Sequence, residues 1–379
     1  MKDNIISMYK IQPAKLKEAR VSRGYSQAEL GKLFGVTRQA INRYEDGINS
    51  PKAEILGQYI EKLNFPMVFF YSQDMESHMC DTAILFRSQA TASKLSRDQV
   101  AIRANWMNRI VHYFLHYLEF PNVDIMKPSI NKAYSFDEIE EISEELRGKW
   151  SLGMGPISNL TILLQNKGCL ISRAGVKVKQ SDSCSKWSNG KPFVFLTADK
   201  NVAVRSRFDL SHELGHLVLH NVLDDNIDKK AFRRIEREAN HFAGAFLLPR
   251  ETFGKQIVST SLDYFIQLKK VWGVSIAAMI YRCKDLGILS ENQTSYLWRQ
   301  LAAKGIRKCE PLDDEIIPEE PTLLRDAVNL LLDSKTLTVE EMLQHIKLST
   351  SDICELCNVS KDVFAKSPVI LQPKLHLVK

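Results

Sequence analysis

The chain has 379 residues, 44% hydrophobic and 25% charged, with 51 Lys or Arg against 45 Asp or Glu for a formal net charge of +6. This is the composition of globular protein and excludes a disordered or collagen-like chain. No apolar run approaches the length of a membrane span, Met1-Lys-Asp-Asn-Ile-Ile6 lacks the apolar core of a secretion signal, and seven cysteines at irregular spacing suit a reducing compartment better than a disulfide framework. The expectation is a cytoplasmic, multidomain protein, mainly α with a small β-sheet, and with no membrane partner.

Pro13 to Arg23 reads as a helix. Ser26 precedes Glu29 by three, a capping-box pattern that opens a second helix through Phe34, and Gly35-Val36 makes a tight turn. Thr37 caps a third helix, Arg38 to Glu45, which stops at Asp46-Gly47. Two short helices joined at a glycine-containing turn form a helix-turn-helix, in which Ile41 should anchor the core with Leu30, Leu33 and Val36. The second helix of that motif enters the major groove, where Gln and Asn can pair with adenine and Arg with guanine. Thr37, Arg38, Gln39, Asn42 and Arg43 fall on its outward side as candidate DNA contacts, and Gln27 is placed to meet a phosphate or brace the recognition helix. Residues 1–70 hold eleven Lys or Arg against seven Asp or Glu, an excess that favours phosphate contact.

Ser26-Gln27, Gly35-Val36 and Tyr44-Glu45-Asp46-Gly47, followed by Ser50-Pro51, resemble the phage-repressor-like (Xre) family of helix-turn-helix domains over Leu16 to about Leu63. The resemblance implies a five-helix-type bundle and double-stranded DNA as a partner, although such domains also serve dimerisation or docking. One helix-turn-helix reads only a few base pairs, so a homodimer on paired half-sites is a candidate state.

Asp98 to Tyr117 carries Val100, Ile102, Trp106, Ile110, Val111, Phe114 and Leu115 at helical spacing, a stripe suited to core packing or to bridging two modules or a dimer. Gly168 to Ser172, Ala174 to Lys179 and Pro192 to Thr197 are short β-branched or aromatic runs separated by Asn189, Gly190 and polar turns. They read as a small sheet, and an edge strand beside a metal helix could hold an extended peptide by main-chain hydrogen bonds.

Phe208 to His220 contains His-Glu-x-x-His within a helical pattern. His212 and His216 are four apart, which stacks both imidazoles on one helix face where they can grip one metal ion. Glu213 lies beside them, placed to take a proton from an activated water. Gly215 leaves room for a close backbone approach. A catalytic zinc needs a third protein ligand. The next helix, Lys229 to Leu248, ends at Pro249 and offers Glu236, Glu238 and His241, among which spacing does not decide. His220 continues the series as a partner of the metal ligands or as a packing residue. Arg205 and Arg207 could polarise a substrate carbonyl or make surface salt bridges.

The run Arg205 to His220, with Glu236-Arg-Glu-Ala-Asn-His-Phe-Ala243 and Phe246-Leu-Leu-Pro249, resembles the ImmA/IrrE family of metallopeptidases. Ile142 to Arg147 with Leu152 to Pro156, and Trp272 to Ser275 with Asp285 to Gly287, resemble its opening and closing segments. The resemblance implies an α+β zincin-like domain that binds zinc through His212, His216 and Glu238 and acts on a protein substrate, commonly a transcriptional repressor. The organisation expected is a DNA-binding domain over 1–70, a helical connector over 71–134, a metallopeptidase domain over 135–305, and an acidic linker with a C-terminal helical appendix over 306–379.

Glu310 to Pro321 concentrates six acids and three prolines, marking a linker that is not helical throughout, and Thr322 to Ser334, Thr338 to Ile346 and Ser351 to Asn358 read as small helices. Cys354 and Cys357 have metal-pair spacing but no second pair nearby, a helical coincidence. The function expected is a DNA-binding zinc endopeptidase that regulates transcription by cutting a repressor at one site. The alternative is a transcriptional regulator or antitoxin-like protein whose peptidase-like domain senses or docks.

Overall fold

The computed structural model describes residues 10–71, 85–86, 93–128, 132–175, 183–198, 202–220 and 228–365. Among the described residues the molecule is mostly helical around one small sheet. Its N-terminal unit contains α1 (Pro13–Ser22), α2 (Gln27–Phe34), α3 (Arg38–Glu45) and α4 (Ala53–Leu63), closed by a 3-10 turn at Met67–Tyr71. Local chemistry sets these boundaries. Ser26 and Glu29 cap each other reciprocally, Gly35 takes the left-handed conformation at φ 69°, and Thr37 Oγ1 accepts the Ala40 N–H at 3.1 Å. A Cβ on Gly31 would meet the Val36 carbonyl oxygen at 2.8 Å, so glycine there lets α2 and α3 approach. Leu16, Leu30, Ile41, Tyr59 and Leu63 are fully buried. Leu33 departs from expectation at 37% exposure, because its neighbour Phe34 takes the core position. A buried ion pair, Arg20 Nε to Glu45 Oε1 at 2.5 Å, ties α1 to α3.

β1 (Leu85–Phe86) and α5 (Lys94–Phe114) follow, then α6 (Phe136–Lys149) and α7 (Leu160–Asn166). Next come β2 (Leu170–Ala174), β3 (Cys184–Ser188), β4 (Lys191–Thr197), α8 (Ala203–Leu219) and α9 (Lys229–Leu247). The sheet order is β1-β3-β4-β2, with β2 parallel to β4 and the other pairs antiparallel. Asn189 and Gly190, both at positive φ, turn β3 into β4 as two-residue hairpin loops favour. Of the strand expected over Ala174 to Lys179, Ala174 closes β2 and residues 176–179 lie outside the described residues. β3 is a strand that sequence patterning did not indicate.

One sheet face, through Ile171, Val194 and Leu196, packs in a core with Leu210, Leu214 and Leu217 of α8 and with Phe242 and Phe246 of α9. The other face, through Leu170, Phe193 and Phe195, shares a second core with Met107, Ile110 and Phe114 of α5 and with the helix-turn-helix residues. The stripe of α5 is therefore core. Helices α10 (Arg250–Lys255), α11 (Leu262–Trp272), α12 (Ile276–Asp285) and α13 (Glu291–Ala303) extend the first core.

The acidic stretch after α13 is irregular, as its prolines require, but its acids are docked rather than solvated. Glu310 accepts from the wholly buried Lys269 Nζ at 3.0 Å and from the amides of Ile276 and Ala277 at the start of α12. Glu319 pairs with Arg207 at 2.6 Å and accepts the Thr161 N–H at 2.8 Å. α14 (Leu323–Asp333), α15 (Val339–Ile346), α16 (Thr350–Cys357) and α17 (Lys361–Ala365) end the described chain. α16 touches three neighbours at once. Asp352 receives both Arg23 Nη atoms at 2.7 Å, Glu355 receives Arg103 Nη1 at 2.8 Å, and the Leu356 carbonyl accepts from Ser172 Oγ of β2 at 2.6 Å. Cys354 and Cys357 are free and buried within that packing. Among the described residues no helix is long and apolar enough to cross a membrane.

Candidate metal centre and nucleic-acid interface

The centre forms where α8 and α9 cross closely. A Cβ on Gly215 would stand 3.2 Å from Ala239 Cα and 3.1 Å from the Phe242 ring, so glycine sets the helix separation. His212 Nε2 and His216 Nε2 converge to 3.0 Å, and both side chains are buried. Glu236 faces them, with Oε2 3.4 Å from His212 Nε2 and Oε1 3.2 Å from His216 Nε2. One ligand atom from each of the three residues lies within 4.8 Å of the others. Ligand atoms bound at roughly 2.0–2.2 Å to a tetrahedral ion stand roughly 3.3–3.6 Å apart. The separations of 3.0, 3.2 and 3.4 Å lie close to that range, and the two-imidazole, one-carboxylate donor set suits zinc. Burial opposes the charge on Glu236, but hydrogen bonds with His212 and His216 win and hold its carboxyl far below the usual range.

The third position differs from the expectation at Glu238. Two residues along a helix rotate by about 200°, so Glu236 and Glu238 cannot face the same point. Glu238 instead accepts the Tyr134 N–H at 3.2 Å and lies 3.0 Å from His220 Nε2. His220, just past the end of α8 in extended conformation, sets its Nδ1 3.0 Å from His216 Nδ1. A histidine that binds metal through Nε2 keeps its proton on Nδ1. With metal on Nε2, His216 would donate to His220 Nδ1 and His220 Nε2–H would donate to Glu238, a chain that would fix the His216 ring. Burial pushes the His220 imidazole down to about 4, which keeps it neutral as that chain requires. His241, the other spacing candidate, turns away: it stacks on Phe136 at 4.1 Å and sits 2.8 Å from Glu140, which Arg282 also grips.

Glu213 is 2% exposed, and its Oε2 accepts from Ser185 Oγ of β3 at 2.7 Å. Burial raises its carboxyl to about 7 against the opposing pull of His216 and Ser185, which poises it to exchange a proton near neutrality. Ser185 was not among the residues singled out from the sequence, since its role depends on a strand that brings it to α8. Arg207 is committed elsewhere, to Glu319 and to the Ile157 carbonyl at 2.7 Å. Arg205 donates to the Lys308 carbonyl and lines a cavity of about 570 Å³ with Phe136, Phe208, Asp209, Asn240 and Tyr281. Asp209 and Asn240 place that cavity one helical turn from His212 and Glu236.

In the N-terminal unit Thr37, Arg38, Gln39, Asn42 and Arg43 are all exposed on α3 or its cap. Gln27 braces this surface: its Nε2 donates to Asn42 Oδ1 at 3.0 Å and to Glu45 Oε2 at 2.9 Å. Asn42 Nδ2 in turn donates to Asp46 at 2.6 Å. Arg38 and Gln39 stand exposed at the start of the second helix of the motif, the end that enters the major groove in such domains.

Residues 16–70 match the family model described as helix-turn-helix, and residues 164–284 match the model of the IrrE N-terminal-like domain. No curated protein matches the chain significantly.

Proposed function

From a helix-turn-helix DNA-binding unit followed along one chain by an IrrE N-terminal-like unit, we propose a regulator of transcription that cuts a peptide bond in a partner protein, a transcriptional repressor met at DNA. The observation that carries the reading is the complete, buried set of His212, His216 and Glu236 with Glu213 beside it. His212 and His216 would hold zinc through Nε2 and Glu236 through its carboxylate. Zinc, when bound, would supply Lewis acidity toward a water and a scissile carbonyl.

The chain's own residues supply the rest. Glu213 takes the proton from the attacking water at its carboxylate and returns it to the departing amide nitrogen, while Ser185 Oγ–H fixes that carboxylate in place. Glu238 and His220 hold the His216 ring in orientation. The cavity beside Asp209 and Asn240 accepts a side chain of the substrate and fixes which bond is presented.

The test incubates zinc-loaded protein and its Glu213→Gln variant with repressor-like proteins of the host and reads new termini by mass spectrometry. A discrete cut by the parent alone, with zinc retained in both, is expected. A fully active variant overturns the assignment of Glu213.

A further inference from the structure

Ser185 touches Glu213, so β3 runs directly beside the group assigned to proton transfer. One edge of β3 is paired with β4. The other edge is also engaged, and by the chain itself: Leu85 pairs with Ser185 and Phe86 with Cys184, antiparallel. These two residues come from the segment joining the helix-turn-helix to α5, outside the 164–284 span that matches the peptidase-like family. A sheet edge beside a hydrolytic centre is where an extended peptide gains main-chain hydrogen bonds and acquires a fixed register.

We infer that the Leu85–Phe86 segment is an internal occupant of the peptide-binding edge of β3, and that a substrate strand must displace it to reach Glu213. The inference rests on the hydrolytic reading for its consequence but not for its geometry. The register pairs Leu85 with the very residue, Ser185, that holds the Glu213 carboxylate. A strand of two residues contributes few hydrogen bonds and is weak enough to leave, unlike the five-residue pairing of β2 with β4. An incoming extended segment of five or six residues offers more main-chain bonds than the occupant and wins the edge.

The experiment uses the full chain carrying Leu85→Pro and Phe86→Pro, which removes whichever of the two N–H groups faces β3 without altering the metal-site residues. Hydrogen exchange across 184–188 should quicken about tenfold in the variant, the effect of losing one or two main-chain hydrogen bonds. A fluorescein-labelled peptide of residues 81–91 should bind the variant about tenfold more tightly than the parent and restore protection of 184–188. With a cleavable repressor, the variant should show a lower KM and an unchanged kcat, and the peptide should inhibit it competitively. Unchanged exchange at β3, or equal peptide binding by both proteins, overturns the inference even if cleavage is observed. Faster exchange with tight peptide rebinding in a protein that cuts nothing sustains the occupied edge and removes the hydrolytic reading instead.

Discussion

Replacing Glu236 and Glu238 by glutamine, one at a time, separates two carboxylates that lie two residues apart yet do different work. Glu236 stands 3.2 and 3.4 Å from Nε2 of His216 and His212, so E236Q would remove the anionic member of the proposed three-ligand set. Glu238 reaches the centre only through His220 and His216, each link 3.0 Å long. Its loss should cost what outer partners of metal-binding histidines cost, about 10- to 100-fold in affinity or roughly 1.4–2.7 kcal/mol. E236Q should exceed that range, losing more than about 100-fold. Zinc affinity is read by competition with a chromogenic chelator, and circular dichroism checks that both variants are folded. A Glu238→Gln protein that releases its zinc while E236Q stays within about tenfold of the parent would refute the assignment.

Three further predictions follow from other parts of the molecule. Gly31→Ala gains about 1 kcal/mol of helix propensity but drives a Cβ to 2.8 Å from the Val36 carbonyl, so thermal denaturation should show net destabilisation and DNA affinity should fall; an unchanged or raised Tm contradicts the close approach. Burial alone would raise the Glu140 carboxyl, but Arg282 and His241 hold it at about 2 against 4.5 in the unfolded chain. A depressed pKa stabilises above the unfolded value and loses that contribution as pH falls from 4.5 toward 2, roughly 3 kcal/mol in all, so the pH dependence of urea unfolding should flatten over that window in Glu140→Gln. Gln39→Ala should weaken binding to the cognate operator by about 1–3 kcal/mol while leaving non-specific affinity and its salt slope nearly intact; equal losses on all sequences would make Gln39 a phosphate contact.

The helix-turn-helix was legible because its signals are local: a capping box at Ser26, a left-handed Gly35 and an N-cap at Thr37 each act within four residues of chain. Leu33 was misplaced because it neighbours Phe34 and either could have filled the core. His212, His216 and Glu213 were legible for a similar reason, since helical periodicity alone fixes their relative positions. The carboxylate that joins them was not, because the choice between Glu236 and Glu238 depends on how α9 is rotated against α8, where Gly215 and Ala239 meet closely across the interface. β3 escaped notice because Cys184-Ser-Lys-Trp-Ser188 has only Trp187 to favour a strand; pairing on both sides holds it. Ser185 was invisible with it.

The acidic stretch from Glu310 to Pro321 bears on where this protein can be divided. Lys269 is wholly enclosed and relies on Glu310 and Asp313 for countercharge, and Arg207, within α8 itself, relies on Glu319. A chain ending at residue 305 would leave Lys269 enclosed without its countercharges, leave Arg207 with backbone carbonyls alone, and strip the capping carboxylate from the start of α12. The family match stops at residue 284, but the electrostatic closure of the peptidase-like half extends to Glu319, so homology and self-sufficiency end at different points along this chain.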